Sequence, residues 1–263
     1  MLNYLYNLSQ EGSLITNEGK NIDIYRLDIN LEETILNEWA SHFRRQYCDD
    51  KNLSKCCSGT GIDKQEWLLK YKFPSDKIPP GPSTRAGDFG ELLIADYIEY
   101  ICSYYVPRIK YSTKINPNTS AQGSDVIGLK MGEYADKNDE LYVVEVKTRA
   151  SMRSETENRL QEAINDSSKD IERLGFSLSA IKQRLIELDK EEYKIIERFQ
   201  NIADRPYKLK YGASAIYTTE MLDEEKIKEI KIPDGKNSMS LFIIHIDNLM
   251  NFINELYRRA SLC

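Results

Sequence analysis

The sequence predicts an α/β fold of the α+β kind, with a mixed central sheet flanked by helices and a smaller α/β region at the N-terminus. Two observations predict it. Short apolar segments with the composition of strands recur along the 263 residues, and longer segments with apolar residues every three or four positions lie between them. The segments follow in the order helix, hairpin, helices, strand, strand. This order is typical of a sheet covered by helices.

The N-terminal region begins with a strand and an amphipathic helix. IDIYRLDI at 22–29 alternates as a strand does, and apolar residues then recur every four positions over 31–47. A segment rich in Cys, Gly and Ser at 48–61 predicts a loop, and a short helix follows around 65–71. Segment 72–87 holds four of the eight prolines, which makes it the best candidate boundary. We therefore divide the chain into an N-terminal region, 1–80, and a main domain, 81–263.

The main domain opens with a predicted helix at 87–102. Apolar segments at 124–129 and 141–147, joined by a polar stretch, predict a β-hairpin. A helical pattern from about 154 to 202 predicts two helices with a break near Gly175. The remaining elements are a strand, a helix, a strand and a helix, at 211–219, 222–231, 240–247 and 247–260.

Composition narrows the classes of function. The net charge of −6 comes from 36 basic and 42 acidic residues, with no dense Lys/Arg run. A protein that grips nucleic acid unaided usually carries a basic surface, so we expect a partner to bring any nucleic-acid substrate. No apolar run could span a membrane and no secretory signal is evident. Five cysteines, two of them adjacent at Cys56 and Cys57, suit a reducing cytoplasm.

Charged residues interrupt two of the predicted strands. If 141–147 is a strand, Glu145 and Lys147 point to the same face, because side chains alternate along a strand. An unpaired buried charge is costly, and a divalent cation would offset that cost. Asp125, at the start of the paired strand, is placed to be a second carboxylate, and hard cations such as Mg²⁺ take carboxylate oxygens.

The tripeptide Asp/Glu-x-Lys is weak support on its own, because it occurs seven times in this chain. Six of the seven lie in polar helices, turns or loops, where solvated charges are the ordinary interpretation. The tripeptide at Glu145 alone combines a strand, an upstream aspartate on a second strand and a glycine before that aspartate. GSD at 123–125 with EVK at 145–147 resembles the PD-(D/E)xK nuclease superfamily, with Ser124 where the family has proline.

This resemblance implies a restriction-endonuclease-like core and a third carboxylate on the preceding helix. Glu91 in GDFGELLIADY takes that place, since it is next to Gly90 and near the predicted helix start, where the helix can pack closely on the sheet. Asp96 and Glu99 on the same helix are rival carboxylates.

The resemblance also implies a chemistry of phosphodiester hydrolysis. Asp125, Glu145 and the Val146 carbonyl would bind Mg²⁺, or Mn²⁺, and Glu91 would hold a second metal or an outer-shell water. The cation would polarise a phosphoryl oxygen and lower the pKa of a bound water. Lys147 would orient that water and stabilise negative charge. The simpler alternative is a Glu145–Lys147 salt bridge at a sheet edge, with Asp125 capping a turn.

A closer resemblance is strongest over about 85–175. The segments RAGDFGELLIADYI, GSDVIGL, LYVVEVKTRAS and LQEAINDSSKDI together resemble the HamA family, the nuclease subunit of the Hachiman antiphage defence system. The resemblance implies a DNase effector without sequence preference, bound and restrained by a superfamily 2 helicase, HamB. Residues 1–80 would then be the natural place for a helicase-docking element, and the alternative is that they complete the fold. No small-molecule substrate and no membrane contact are expected.

Other candidate sites have weaker signals. His42, Cys48, Cys56 and Cys57 have poor spacing for zinc, and His245 is more typical of a hydrogen-bonded histidine in a sheet. There is no phosphate-binding G-x-x-x-x-G-K-[ST] and no G-x-S-x-G. Basic residues near predicted strand ends could meet phosphates or be solvated surface: Arg149, Arg153, Lys208 and Lys210.

Two functions from different classes remain open. One is an active metal-dependent DNase, and the other is a non-catalytic helicase-binding scaffold with a nuclease-like fold. The set of Asp125, Glu145 and Lys147 favours the DNase, because a scaffold has no need of paired carboxylates and a lysine in strands. A restriction-type endonuclease with sequence specificity is a lesser option, since no base-reading element is evident.

Overall fold

The structure is a computed structural model that describes residues 1–151, 158–233 and 238–263. Its centre is a six-stranded sheet with the strand order β1-β2-β6-β5-β4-β3. β1 and β2 pair antiparallel, as do β3 and β4, whereas the central pairs β2–β6, β6–β5 and β5–β4 are parallel. The predicted mixed sheet is thereby confirmed. The strand bounds are β1 Leu8–Ile15, β2 Asn21–Leu27, β3 Val126–Lys130, β4 Glu140–Arg149, β5 Lys208–Thr218 and β6 Ser240–Ile246.

Nine α-helices surround this sheet within the described ranges. Their bounds are α1 Glu33–Tyr47, α2 Asp50–Cys57, α3 Lys64–Tyr71, α4 Gly81–Asp96, α5 Arg159–Asp166, α6 Asp170–Glu187, α7 Tyr193–Arg198, α8 Glu224–Lys228 and α9 Leu249–Leu262. A turn of π-helix, Tyr97–Ile101, continues α4. Among the residues described, none of the helices combines the length and the apolar character that a membrane span needs.

The two faces of the sheet are covered by different helices. On one face α1, α4 and α9 bring together Trp39, Phe89 and Phe252, whose ring centroids are 5.0 to 6.1 Å apart. The other face packs against α5, α6 and α7. β4 is buried on both sides, because Val144 lies in the first core and Val143 in the second. A strand buried on both faces has little water near it, so its charged residues must find partners inside the protein.

Three sequence predictions about the helices are wrong. The segment 48–61 contains α2, whose first turn is capped by the Asp49 carboxylate. α6 runs through Gly175 without a break, and the interruption lies at Ser167–Lys169 instead. α4 begins at Gly81 rather than at 87, with Pro82 in its first turn, where the missing N–H of proline costs no hydrogen bond.

The N-terminal region contributes to the same sheet as the rest of the chain. β1 and β2 form one edge of the sheet, and the register of the parallel pair joins Ile24 of β2 to Ile243 of β6. β1 was not predicted, because six of its eight residues are exposed and show no apolar alternation. The sheet is therefore continuous across the boundary predicted near residue 80.

Candidate active site

The β3–β4 hairpin brings two of the predicted residues to the same level of the sheet. Its register pairs Val126 with Val144, so the preceding Asp125 comes level with Glu145. The Asp125 carboxylate accepts a hydrogen bond of 2.9 Å from the backbone N–H of Val146. Glu145 is only 2% exposed. The hairpin, predicted from two apolar segments, thus has Glu145 within β4 and Asp125 immediately before β3.

Lys147 lies next to Glu145 on the same face, as the strand alternation predicts. Its ammonium donates to Glu145 Oε1 at 2.6 Å and forms an ion pair of 2.9 Å with Asp166 Oδ2. Asp166 is the last residue of α5, a helix that is anchored under the sheet by Leu160 and Ile164. Burial opposes the charge of Lys147, but the hydrogen bonds to both carboxylates outweigh it and raise the pKa of the ammonium. Lys147 is therefore a fixed positive charge at neutral pH.

Glu91 reaches Asp125 through a second lysine. Lys110 Nζ lies 2.5 Å from Glu91 Oε2, 3.2 Å from the Ser124 carbonyl oxygen and 3.6 Å from Asp125 Oδ1. The Tyr111 hydroxyl donates a further hydrogen bond of 2.6 Å to Glu91. Burial raises the pKa of Glu91 to about 8, although the Lys110 charge acts in the opposite direction.

The approach of Glu91 to the sheet depends on the preceding glycine. A Cβ atom at Gly90 would lie 2.0 Å from Thr148 Oγ1 and 3.2 Å from Ile216 Cδ1. α4 can lie this close to β4 because Gly90 has no side chain. The expected close packing is observed, although Glu91 lies in the middle of α4 and not near its start.

The predicted residues fall into two linked groups. α4 covers the face of β4 that carries Val144 and Val146, so Glu91 comes to Asp125 from that side. Glu145 and Lys147 lie on the opposite face with α5. The rival carboxylates belong to a different cluster, because Asp96 and Glu99 both pair with Arg108 at 2.7 Å.

Asp125 and Glu145 are the carboxylates proposed to bind a metal ion. Within the described ranges, no group of three or more His, Cys, Asp or Glu side chains is arranged to hold a metal, and this includes His42 and the neighbouring cysteines. Mg²⁺ usually keeps several waters and binds through one or two carboxylates plus substrate phosphates. The carboxylates of Asp125 and Glu145 are hard oxygen donors, the ligand type that Mg²⁺ and Mn²⁺ prefer.

The other candidates have structural partners. His245 is buried and shares hydrogen bonds with Thr219 Oγ1 at 3.0 Å and Glu11 Oε2 at 2.9 Å, as expected of a sheet histidine. Lys210 pairs with Glu140 at 2.9 Å, at the end of β4 away from Glu145. Lys208 is exposed at the start of β5 and Arg149 lies at the end of β4. Arg153 lies outside the described residues.

Three residues of the site were not predicted from the sequence: Lys110, Tyr111 and Asp166. Lys110 and Tyr111 lie in an irregular segment between α4 and β3, which has no periodicity to single them out. Asp166 belongs to LQEAINDSSKDI, a segment that supported the family resemblance without indicating a role for this side chain. A spacing rule could not have found them, because each is brought to the hairpin by tertiary folding.

A protein-family model matches nearly the whole chain. The model of the HamA family matches residues 3–260 of the chain. The match is longer than the segment 85–175 over which the resemblance is strongest, and it includes most of residues 1–80. No curated protein matches the chain.

Proposed function

Since the chain belongs to the HamA family, the family of a component of the Hachiman antiphage defence system, we propose that it is a metal-dependent DNase effector. The observation that carries the proposal is the arrangement on the β3–β4 hairpin. Asp125 immediately precedes β3 and comes level with Glu145 of β4, and the Lys147 ammonium lies 2.6 Å from Glu145. This arrangement supplies two hard oxygen ligands and a fixed positive charge within one short segment.

The residues of the chain would divide the work as follows. Asp125, Glu145 and the Val146 carbonyl would hold Mg²⁺ or Mn²⁺. When bound, the cation would polarise a phosphoryl oxygen and lower the pKa of a bound water. Lys147 would act as an electrostatic stabiliser of the negative charge that develops on the phosphate, since its ammonium is held 2.6 Å from Glu145. Glu91 and Lys110 would fix the position of Asp125 from the other side of the sheet.

The control of this activity would come from a partner helicase, HamB in this family. The net charge of −6 is spread along the chain and offers little attraction for DNA by itself. A helicase that binds DNA would bring the substrate to the nuclease and restrain it until infection. Residues 1–80 remain the proposed docking region, and in that role they would also complete the sheet.

The first experiment is cleavage of supercoiled plasmid and linear DNA in Mg²⁺, with and without the helicase. Lys147→Ala removes the fixed charge, and Lys137→Ala, an exposed lysine in the β3–β4 turn, is the matched control. We expect cleavage by the wild type and the control, none by Lys147→Ala and none in EDTA. Suppression by the helicase would support restraint. Absence of cleavage under every condition, with the helicase tightly bound, would favour the scaffold alternative.

A further inference from the structure

A cavity of about 770 Å³ opens beside Asp125. Glu91, Ser124 and Asp125 are among the residues that line it, whereas Glu145 and Lys147 do not. One wall is α6, and the other is the irregular chain over 106–123 that leads into β3. The cavity therefore reaches the candidate metal site at the first of its two carboxylates.

The α6 wall presents one helix face to the cavity. Arg173, Phe176, Ser177, Ala180 and Arg184 line it at spacings of three and four residues, which places them on one side of a helix. Leu174, Leu178 and Leu185, on the other side, belong to the core. α6 is thus held by its apolar face and exposes a mixed polar and aromatic face to the cavity.

Phe176 is an exposed aromatic residue on the α6 wall. Its side chain is 81% exposed, so it contributes little to the core. Ile115 on the opposite wall is 99% exposed. Between them the wall carries the amides of Asn116 and Gln122 and the hydroxyl of Ser120. The other two hydroxyls of the wall, those of Thr113 and Thr119, already donate to backbone carbonyl oxygens. An exposed ring beside amide and hydroxyl donors suits a ligand with flat apolar surfaces and oxygens.

Most of the basic side chains that line the cavity are already paired. Five basic and three acidic side chains line it. Four of the five basic residues have carboxylate partners: Arg108, Lys110, Lys114 and Arg184. Arg173, next to Phe176 on α6, has no carboxylate partner within the described part of the chain.

We propose that this cavity binds single-stranded DNA and leads it to Asp125. The inference rests on the proposed DNase function and names the form of its substrate. A single strand exposes bases that stack on an aromatic ring, and stacking is worth about 1–3 kcal/mol per base. Phosphates take hydrogen bonds from hydroxyl, amide and arginine side chains. Duplex DNA keeps its bases stacked on each other and has none to offer to Phe176.

The test is the binding of a short labelled oligothymidine and of a duplex of equal length to the full chain in EDTA, where no cleavage occurs. Phe176→Ala removes the ring, and Tyr134→Ala, a 78% exposed aromatic in the β3–β4 turn, is the control. Phe176→Ala should weaken single-strand binding about tenfold, the fold-change that corresponds to one stacked base, and leave the thermal unfolding midpoint unchanged. Tyr134→Ala should bind as the wild type does.

Several results would contradict the proposal that the cavity binds single-stranded DNA. Equal single-strand affinity of Phe176→Ala and wild type, duplex bound as tightly as the single strand, or no binding of either oligonucleotide would overturn the proposal. Tighter binding of oligouridine would overturn the choice of DNA over RNA. If the wild type cleaves DNA but Phe176 has no effect on binding, the DNase proposal stands and this inference fails. If binding depends on Phe176 but the wild type cleaves no DNA, the cavity binds single-stranded DNA as proposed and the DNase proposal fails.

Discussion

At the scale of single residues, Lys147 is held between two carboxylates. Its ammonium lies between Glu145 Oε1 at 2.6 Å and Asp166 Oδ2 at 2.9 Å. Glu145 is a proposed metal ligand, so its negative charge would be shared with the cation. Asp166 then becomes the partner that keeps Lys147 charged and in place. We regard Asp166 as a positioning residue that acts through Lys147.

Asp166→Asn should lower the rate of plasmid cleavage by about tenfold to a hundredfold, the usual effect of removing a group that orients a residue of a metal site. The amide keeps the shape of the side chain but loses the charge that holds the ammonium. Lys169→Ala is the matched control, because Lys169 is the other, more exposed partner of Asp166. It should change the rate by less than about twofold. A full rate for Asp166→Asn would remove Asp166 from the site.

These contacts show what the sequence can predict at this scale. Asp125, Glu145 and Lys147 stand out because charges in apolar strands need a reason to be there. Lys110 and Asp166 lie in polar segments, where a charge is ordinary. Their roles exist only after α5 and the segment before β3 have folded against the hairpin, so no local pattern could have indicated them.

At the scale of elements, the position of α4 against β4 decides whether Glu91 can reach Asp125. The contact is closest at Gly90, beside Thr148 and Ile216. Thr148 is β-branched and half-buried, and its side chain has few rotamers in which it could turn away from α4. A side chain at position 90 would push α4 off the sheet and carry Glu91 with it.

Gly90→Ala should destabilise the protein by roughly 1–3 kcal/mol, the usual cost of overpacking, and should also reduce cleavage. Gly87→Ala is the matched control on the same helix, because a Cβ atom at Gly87 meets nothing within 4 Å. It should be neutral or stabilising by about 0.5–1 kcal/mol, since alanine favours helix more than glycine does. Urea unfolding of both variants measures the difference. Equal stability of the two variants would show that the close contact at Gly90 is unimportant.

The elements also show why some predictions failed. Gly175 predicted a helix break, yet α6 keeps its helical conformation there, because Leu174 and Leu178 on either side are anchored in the core. The segment 48–61 has the composition of a loop, yet Asp49 caps a helix there whose Leu53 is buried. In both cases tertiary packing outweighs the local conformational preference. For a glycine inside a helix, that preference costs about 1 kcal/mol relative to alanine.

At the scale of the whole molecule, the N-terminal region and the main domain share a buried polar cluster. Asp96 at the end of α4 accepts a hydrogen bond of 2.6 Å from the Tyr4 hydroxyl and shares one of 3.0 Å with His42 Nε2. Arg108 pairs with the same carboxylate at 2.7 Å. Tyr4 and His42 belong to the first 80 residues, so one carboxylate ties that region to the helix that carries Glu91. The family match over 3–260 agrees with this continuity.

The pH dependence of stability should report on this cluster. Burial opposes the ionisation of Asp96, but the Arg108 charge and the hydrogen bonds from His42 and Tyr4 outweigh it and lower the pKa of the carboxyl. A carboxyl with a lowered pKa in the folded state stabilises the protein above its unfolded pKa of about 3.9. That contribution is lost as the pH falls through the lower, folded pKa.

Asp96→Asn should therefore cost roughly 3 kcal/mol of unfolding free energy at pH 7, since it leaves part of a buried ion-pair cluster without its negative charge. The difference from wild type should shrink below about pH 4, where the carboxyl of the unfolded chain becomes protonated. Urea unfolding at a series of pH values measures both effects. Glu191→Gln, which removes one partner of an exposed helical ion pair, is the control and should change stability by less than about 0.5 kcal/mol at every pH. A cost for Asp96→Asn that is small, or that does not vary with pH, would mean that the charge of the cluster does not hold the two regions together. Their contact would then depend on the β2–β6 pairing and on the aromatic core between α1, α4 and α9.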